Sequence, residues 1–261
     1  MNKKLIAVAL FGSFVAPLSV LAADAPATPE HSFSGNLTLT SDYIFRGISQ
    51  TNNKPAIQGG FDYEHASGFY AGTWASSLDW VSPGYKTDNS MELDLYGGYK
   101  GTAGALSYDV GLIHYYYPGK RISGQVTPDS TEVYLGLGWE FLEVKYSHAV
   151  SNHLFGWEGG AAGDQKTRGS GYLELNASHD LADGWSVSGH VGRQKIKGYA
   201  DASYTDWNIG VSKDVGFGVV SLMYKDTNAK GCGSSGEYCW GANSDVDVGK
   251  GKAVLSFTKE F

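Results

Sequence analysis

Positive charge is in short supply: 20 lysines and arginines face 27 aspartates and glutamates, for a formal net charge of −7. That balance disfavours nucleic acid or an anionic surface as the partner, and nothing resembles a phosphate-binding footprint. Cysteine is nearly missing. Cys232 and Cys239 lie close together in a glycine-rich, polar stretch, and a local disulfide is expected of them in an exported protein. Closing so short a ring stabilises by roughly 2–3 kcal/mol, enough to pin a loop but not to hold a fold. A metal pair is the lesser alternative, because no neighbouring histidine completes a ligand set. Helical heptads, nucleotide loops, haem motifs and zinc spacings are all lacking, and the seven histidines are scattered, so no cofactor and no metal site are expected. Proline is scarce at seven residues. The 36 glycines and 17 tyrosines set against it suit many strands with tight turns and interfacial aromatics. High glycine can also mean disorder, but the aromatic content and the periodicity argue against it.

The chain opens with Lys3 and Lys4, continues through an apolar run from Leu5 to Leu21, and reaches small residues at Ala22 and Ala23. This reads as a secretory signal peptide over residues 1–22. A membrane-spanning helix is the alternative, against which stand the short run, Pro17 and the small-residue cleavage site. Loss of Lys3 and Lys4 takes the formal charge from −7 to −9. Residues 23–32, with Pro26 and Pro29, read as a flexible periplasmic lead-in, and residues 33–261 as one domain.

What the chain has in abundance is alternation. In the first segment Leu37, Leu39, Tyr43 and Phe45 oppose Asn36, Thr38, Thr40, Asp42, Ile44 and Arg46. After the polar loop from Gly47 to Lys54, Ile57, Phe61 and Tyr63 oppose Gln58, Asp62 and Glu64. A third segment, Phe69 to Trp80, is blurred, with Tyr70, Trp74 and Leu78 on one parity. Val133, Leu135, Leu137, Trp139 and Phe141 against Glu132, Tyr134, Gly136, Gly138 and Glu140 give the sharpest pattern. The count is twelve strands, ending with Lys250 to Phe261. Connections alternate between short turns and longer polar links, which is a second periodicity.

The fold expected is all-β: a transmembrane antiparallel up-and-down β-barrel of twelve strands, with both termini periplasmic, in the outer membrane of a Gram-negative bacterium. An antiparallel sandwich shows similar alternation, but segments of about ten residues match the length needed to cross a bilayer on a tilt. Aromatics at segment ends (Tyr43, Phe45, Tyr63, Tyr99, Trp139, Phe141, Trp185 and Trp207) fit interfacial girdles. The final strand, with Phe257 and the terminal Phe261, resembles the signal read by the barrel-assembly machinery, although Lys259 departs from that pattern. Charges share the polar parity in the best-defined strands, while His114 and His148 fall on the greasy one, near the rim or at a bulge.

The motifs SDYIFRGISQT (Ser41 to Thr51), NNKPAIQGGFDYEH and GFYAGTWAS, followed by LDLYGGY, YDVGLIHYYYPG, EVYLGLGW, KYSHAVS and YTDWNIGVSKD, resemble the TorF family of porins, an outer-membrane family also catalogued as bacterial proteins of unknown function. The resemblance covers nearly the whole exported chain. It implies an outer-membrane barrel and a pore, and it supplies neither a substrate nor catalytic residues.

Twelve strands spaced about 4.8 Å apart and tilted about 40° close at a backbone radius of roughly 12 Å. The passage inside, on the order of a nanometre and narrower if loops fold in, suits ions and small solutes. The candidate lumen and selectivity residues are Asp42, Arg46, Asp62, Glu92, Asp94, Asp109, Glu132, Glu174 and Asp206. Their acidic bias leads us to expect a passive channel favouring cations or neutral solutes. For any one residue the bland alternative is structural: Arg46 pairs with Asp42 on its own strand, or with a carboxylate across the sheet. Two other functions stay open. One is a lipid-modifying enzyme, which needs a serine and a histidine together near the outer leaflet; against it, Ser147 and His148 are adjacent and so point to opposite faces of a strand, and Ser151, Asn152 and His153 sit in a loop without a nucleophile motif. The other is a closed structural barrel whose loops, Ser151 to Gly169 and Thr227 to Gly249, bind a partner.

Overall fold

Residues that alternate between greasy and polar over eight to thirteen positions form strands, and here each strand finds two antiparallel neighbours. The computed structural model describes residues 29–81, 88–120, 123–160, 163–233, 236–241 and 245–261. The signal peptide expected over residues 1–22 lies outside the described residues. Twelve strands close into a single barrel: β1 (His31–Thr40), β2 (Ala56–His65), β3 (Phe69–Ser77), β4 (Met91–Ala103), β5 (Leu106–Tyr116), β6 (Ser130–Trp139), β7 (Leu142–Ala149), β8 (Gly171–Asp180), β9 (Trp185–Lys195), β10 (Tyr204–Asp214), β11 (Val219–Thr227) and β12 (Lys252–Glu260). Each pairs with its sequence neighbour, and β1 seals the ring against β12, with Leu39 opposite Phe257 on one side and Ile57 on the other. Closure leaves no unpaired edge, which an open sheet in lipid would expose at a cost of several kcal/mol per unpaired backbone group.

The outer surface carries the greasy parity. Leu95, Val110, Leu135, Leu173, Leu222 and Leu255 are about half exposed on it. So continuous an apolar belt is far larger than a water-soluble surface tolerates, and it fits a hydrocarbon surround. The polar parity points inward, as in Glu92, Asp94, Glu132, Glu174 and Asp206, all 4% exposed or less.

Short turns at residues 66–68, 104–105, 140–141, 181–184 and 215–218 lie at one end, with the start of β1 and the end of β12. The longer links, 41–55, 78–90, 117–129, 150–170, 196–203 and 228–251, gather at the other. At that loop end Cys232 and Cys239 are disulfide-bonded.

Three expectations need correction. β1 stops at Thr40, so Tyr43 (4% exposed) and the half-buried Phe45 do not face lipid; the chain bends into the lumen and takes both rings with it. In β3 the aromatic parity is the inner one: Tyr70 donates a hydrogen bond to Asp109, Trp74 packs on Tyr43, and Leu78 is 4% exposed, while Phe69 faces out. The first strand begins two residues before the expected boundary at Phe33, because His31 and Ser32 already pair with His65 and Glu64. His114 and His148 sit at the loop ends of β5 and β7, so their position at the rim accounts for their parity without a bulge.

Candidate functional site

The link between β1 and β2 does not lie over the rim; it dives into the barrel. Ile44–Phe45 pairs antiparallel with Ile48–Ser49, making a miniature hairpin with Arg46 and Gly47 at its tip. A two-residue turn of this hand needs positive φ at both central positions, and Arg46 and Gly47 have φ of 47° and 77°. Positive φ is costly for arginine, so something else must hold the tip. Glycine at 47 is also a spatial requirement, because a Cβ there would lie 2.5 Å from Asp206 Cβ and 2.6 Å from Thr227 Cγ2 on the barrel wall.

What holds the tip is the far wall. The Arg46 guanidinium donates to both carboxylate oxygens of Glu132 on β6, at 3.1 and 2.6 Å, and to Gln194 Oε1 on β9 at 2.9 Å. It also stacks 4.4 Å from the Tyr172 ring of β8. Glu132 takes a further hydrogen bond from Tyr115 of β5. The two charged side chains are 7% and 0% exposed. Burial alone would push the guanidinium toward neutrality, but Glu132 outweighs it and holds Arg46 more firmly protonated than usual. The geometry is a bidentate, charge-assisted fork spanning the lumen.

The base of the hairpin is tied as closely. Asp42, fully buried, accepts hydrogen bonds from Ser49 Oγ at 2.6 Å and Thr51 Oγ1 at 2.8 Å, and pairs with Lys252 of β12 at 2.8 Å. Tyr43 donates to Glu92 on β4 at 3.0 Å. Ser49 N–H donates to Val248 O, and Ile48 packs with Tyr204, Tyr238 and Val248, so the link over residues 228–251 covers the hairpin from above. Phe155, from the link over residues 150–170, meets the Phe45 and Tyr115 rings.

The loop-end half of the lumen is therefore filled, and toward the turn end the long inward side chains become more exposed, while small ones such as Ser186 and Ser212 stay buried. Inward side chains trace the gradient, from 0% exposed at Glu132 to 42% at Glu64, which pairs with Lys100. Between them stand Tyr96 hydrogen-bonded to Asp62, Tyr70 to Asp109 and Tyr134, and Lys145 over the Tyr134 ring at 4.4 Å. On the opposite wall His190 bridges Asn176 at 2.6 Å and Asp206 at 3.0 Å, with Asn176 donating to Glu174.

Of the nine candidate residues, Asp62, Glu92, Asp94, Asp109, Glu132, Glu174 and Asp206 lie on the inward parity of the wall, and Asp42 and Arg46 on the hairpin inside it. Of the two pairings weighed for Arg46, the one with Asp42 does not form, since Asp42 goes to Lys252; Arg46 instead meets a carboxylate elsewhere in the sheet, crossing the lumen to Glu132. Glu92 and Asp94, 2% and 3% exposed, form no ion pair among the described residues. Reasoning from sequence missed Gln194, Tyr172 and the fully buried Lys225, whose ammonium donates to Val248 O at 3.3 Å. An Arg-Gly pair flanked by Ile-Phe and Ile is a hairpin signal that would have found the tip.

Ser147 points into the barrel and His148 out of it, while Ser151 Oγ and His153 Nδ1 each bond a backbone carbonyl, so neither pair makes a nucleophile and base. Glu30, His31 and His65 offer ligand atoms within 4.8 Å of one another at the turn-end rim, the one grouping among the described residues with the makings of a metal site. No ligand spacing announced it, because His31 and His65 meet only through the β1–β2 register.

A closed antiparallel ring with a greasy exterior, a charged interior and an inward-folded loop defines the outer-membrane type of β-barrel. The chain belongs to the family described as bacterial protein of unknown function (Gcw_chp), which it matches over residues 23–261. Among solved structures it resembles the KdgM porin, with a TM-score of 0.52 and 8% identity over 87% of this chain and 98% of that one. It also resembles the NanC porin (TM-score 0.49, 8% identity, 88% and 99% covered) and the COG4313 outer membrane channel from Pseudomonas putida F1 (TM-score 0.45, 12% identity, 93% and 100% covered). At such identities what is shared is the barrel. A comparison with curated proteins finds no match.

Proposed function

We propose that the protein is an outer-membrane channel for passive diffusion of ions and small solutes, with its loops outside the cell, its termini in the periplasm, and the Arg46 hairpin as its closing element. The observation that carries this reading is the gradient inside the barrel: a water-accessible, charged vestibule at the turn end runs up to a single hairpin held by a few polar contacts. The TorF resemblance points the same way. Selectivity for cations or neutral solutes is supported by the acidic bias of the inward parity, on which the half-buried Asp62, Glu64 and Asp109 stand against Lys100 and Lys145. No catalytic role is assigned to any residue, and Phe257 and Phe261 are proposed as the signal for the barrel-assembly machinery. Reversal potentials of the refolded barrel in a salt gradient test the reading; cation preference supports it and anion preference removes the acidic lumen from the account.

The filled loop end favours a second reading, a closed barrel whose loops bind a partner. A wild-type protein and hairpin variants that all fail to conduct, together with a binding phenotype lost on deletion within residues 228–251, would select it.

A further inference from the structure

Net charge disfavours an anionic surface for the chain as a whole, yet one spot on the outer wall has the opposite character. At the loop end of β7, β8 and β9, a cleft of about 740 Å³ is lined by His148, Lys166, Arg168, Gly169, Lys195 and Lys197. His148 and Lys195 both lie opposite Gly171 in the strand register, one on each side of it, and both are on the outward parity. Glycine at 169 leaves the floor bare there, while the Tyr146 ring lies over Gly171, and the Lys197 ammonium and the His148 ring close on the floor: a Cβ added at Gly169 would lie 3.7 Å from Lys197 Nζ and 3.9 Å from His148 Cε1.

The backbone that carries these cations is stapled to the rim. Arg168 N–H donates to Asn152 O, Gly169 N–H to Ala149 O, and Lys197 N–H to Ser170 Oγ, which itself donates to Thr167 O. Ser170 and Thr167 are fully buried. None of the four lysine and arginine side chains forms an ion pair among the described residues; Glu158, the register partner of Lys166, and Asp164 lie nearby and are exposed. Directly below, on the same parity, come Tyr146, Leu173 and Arg193, the last donating to Thr205 Oγ1 at 3.1 Å, and then Val144 and Val191, the start of the apolar belt.

We propose that this cleft binds the phosphate-bearing head group of a membrane lipid in the leaflet on the loop side. Cations at the top of a greasy wall meet both halves of such a molecule: the phosphate oxygens accept from lysine and arginine, and the acyl chains lie along Tyr146, Leu173 and Val191. A soluble phosphate would gain only the first contact, and a protein partner would meet a surface sunk to the lipid boundary. The assignment rests on the reading of the chain as a membrane barrel, and on nothing about whether it conducts.

The test uses the full barrel refolded in detergent and placed in nanodiscs of phosphatidylcholine containing a minor fraction of phosphatidic acid or of a bisphosphorylated glucosamine-based lipid. Lipid retained after detergent extraction is counted by native mass spectrometry for wild type, for Lys166→Gln/Arg168→Gln/Lys195→Gln/Lys197→Gln, and for a control, Lys120→Gln/Lys230→Gln, which removes charge from other loops. Wild type and control should retain the added phosphomonoester lipid, relative to phosphatidylcholine, about tenfold or more better than the cleft variant. Which of the two lipids is kept identifies the head group. Equal retention by all three proteins, or displacement of the lipid by equimolar inorganic phosphate, overturns the proposal. Conductance of the same samples reports separately on the channel.

Discussion

The Arg46 guanidinium and the Glu132 carboxylate meet at 2.6 Å across the width of the lumen, although one comes from the link after β1 and the other from β6, 86 positions on in the chain. Removing either leaves the other buried and uncompensated, which in protein interiors costs about 3–5 kcal/mol, whereas removing both costs less. Arg46→Ala and Glu132→Ala should therefore each destabilise the barrel, and the double variant should fall well short of their sum. Urea unfolding in lipid vesicles measures this cycle, and strict additivity would mean the pair does not act as one unit.

Gly47 is expected to be as sensitive as the ion pair without carrying any charge. Gly47→Ala adds a Cβ at a φ of 77° and places it 2.5 Å from Asp206 Cβ. The conformational penalty alone is roughly 1–2 kcal/mol, and the clash adds to it. The hairpin should unseat while the barrel stays folded, and protease cleavage within residues 41–55 of the refolded protein would report the release.

At the base of the hairpin, Lys252→Met takes the cation from fully buried Asp42 but leaves it the Ser49 and Thr51 hydroxyls. The expected cost is about 1–3 kcal/mol, below that of Arg46→Ala. Comparing the two unfolding midpoints checks the ranking.

The outer wall makes a prediction independent of the lumen. Leu135, half exposed in the middle of β6, faces outward, so Leu135→Arg should cost about 2–4 kcal/mol in a bilayer. Leu137→Trp, which keeps an apolar side chain on the same face, should cost far less. Equal effects in vesicles would argue that this face does not meet hydrocarbon.

Much of this architecture can be read from parity alone, because a period of two is the whole of strand geometry. Val133 to Trp139 or Leu173 and Leu175 leave no choice about which face is greasy, and the links that alternate short and long order the strands into an up-and-down ring. Parity fails where the chain leaves the sheet without changing its pattern. Tyr43 and Phe45 continue the alternation of β1, yet they belong to a hairpin that finds its apolar surroundings inside the barrel. The same filling explains β3, since Trp74 can face inward because Tyr43 is there to meet it. Contacts such as Arg46 to Gln194, 148 positions apart, carry no local signal, because only closure of the ring brings them together.

Planar-bilayer recording of wild type beside Arg46→Ala tests the central claim most directly. A channel closed by its own hairpin predicts small or infrequent cation-preferring openings for wild type, and larger or longer ones once the Arg46 fork to Glu132 and Gln194 is gone. Identical traces from the two proteins, open or silent, would contradict it.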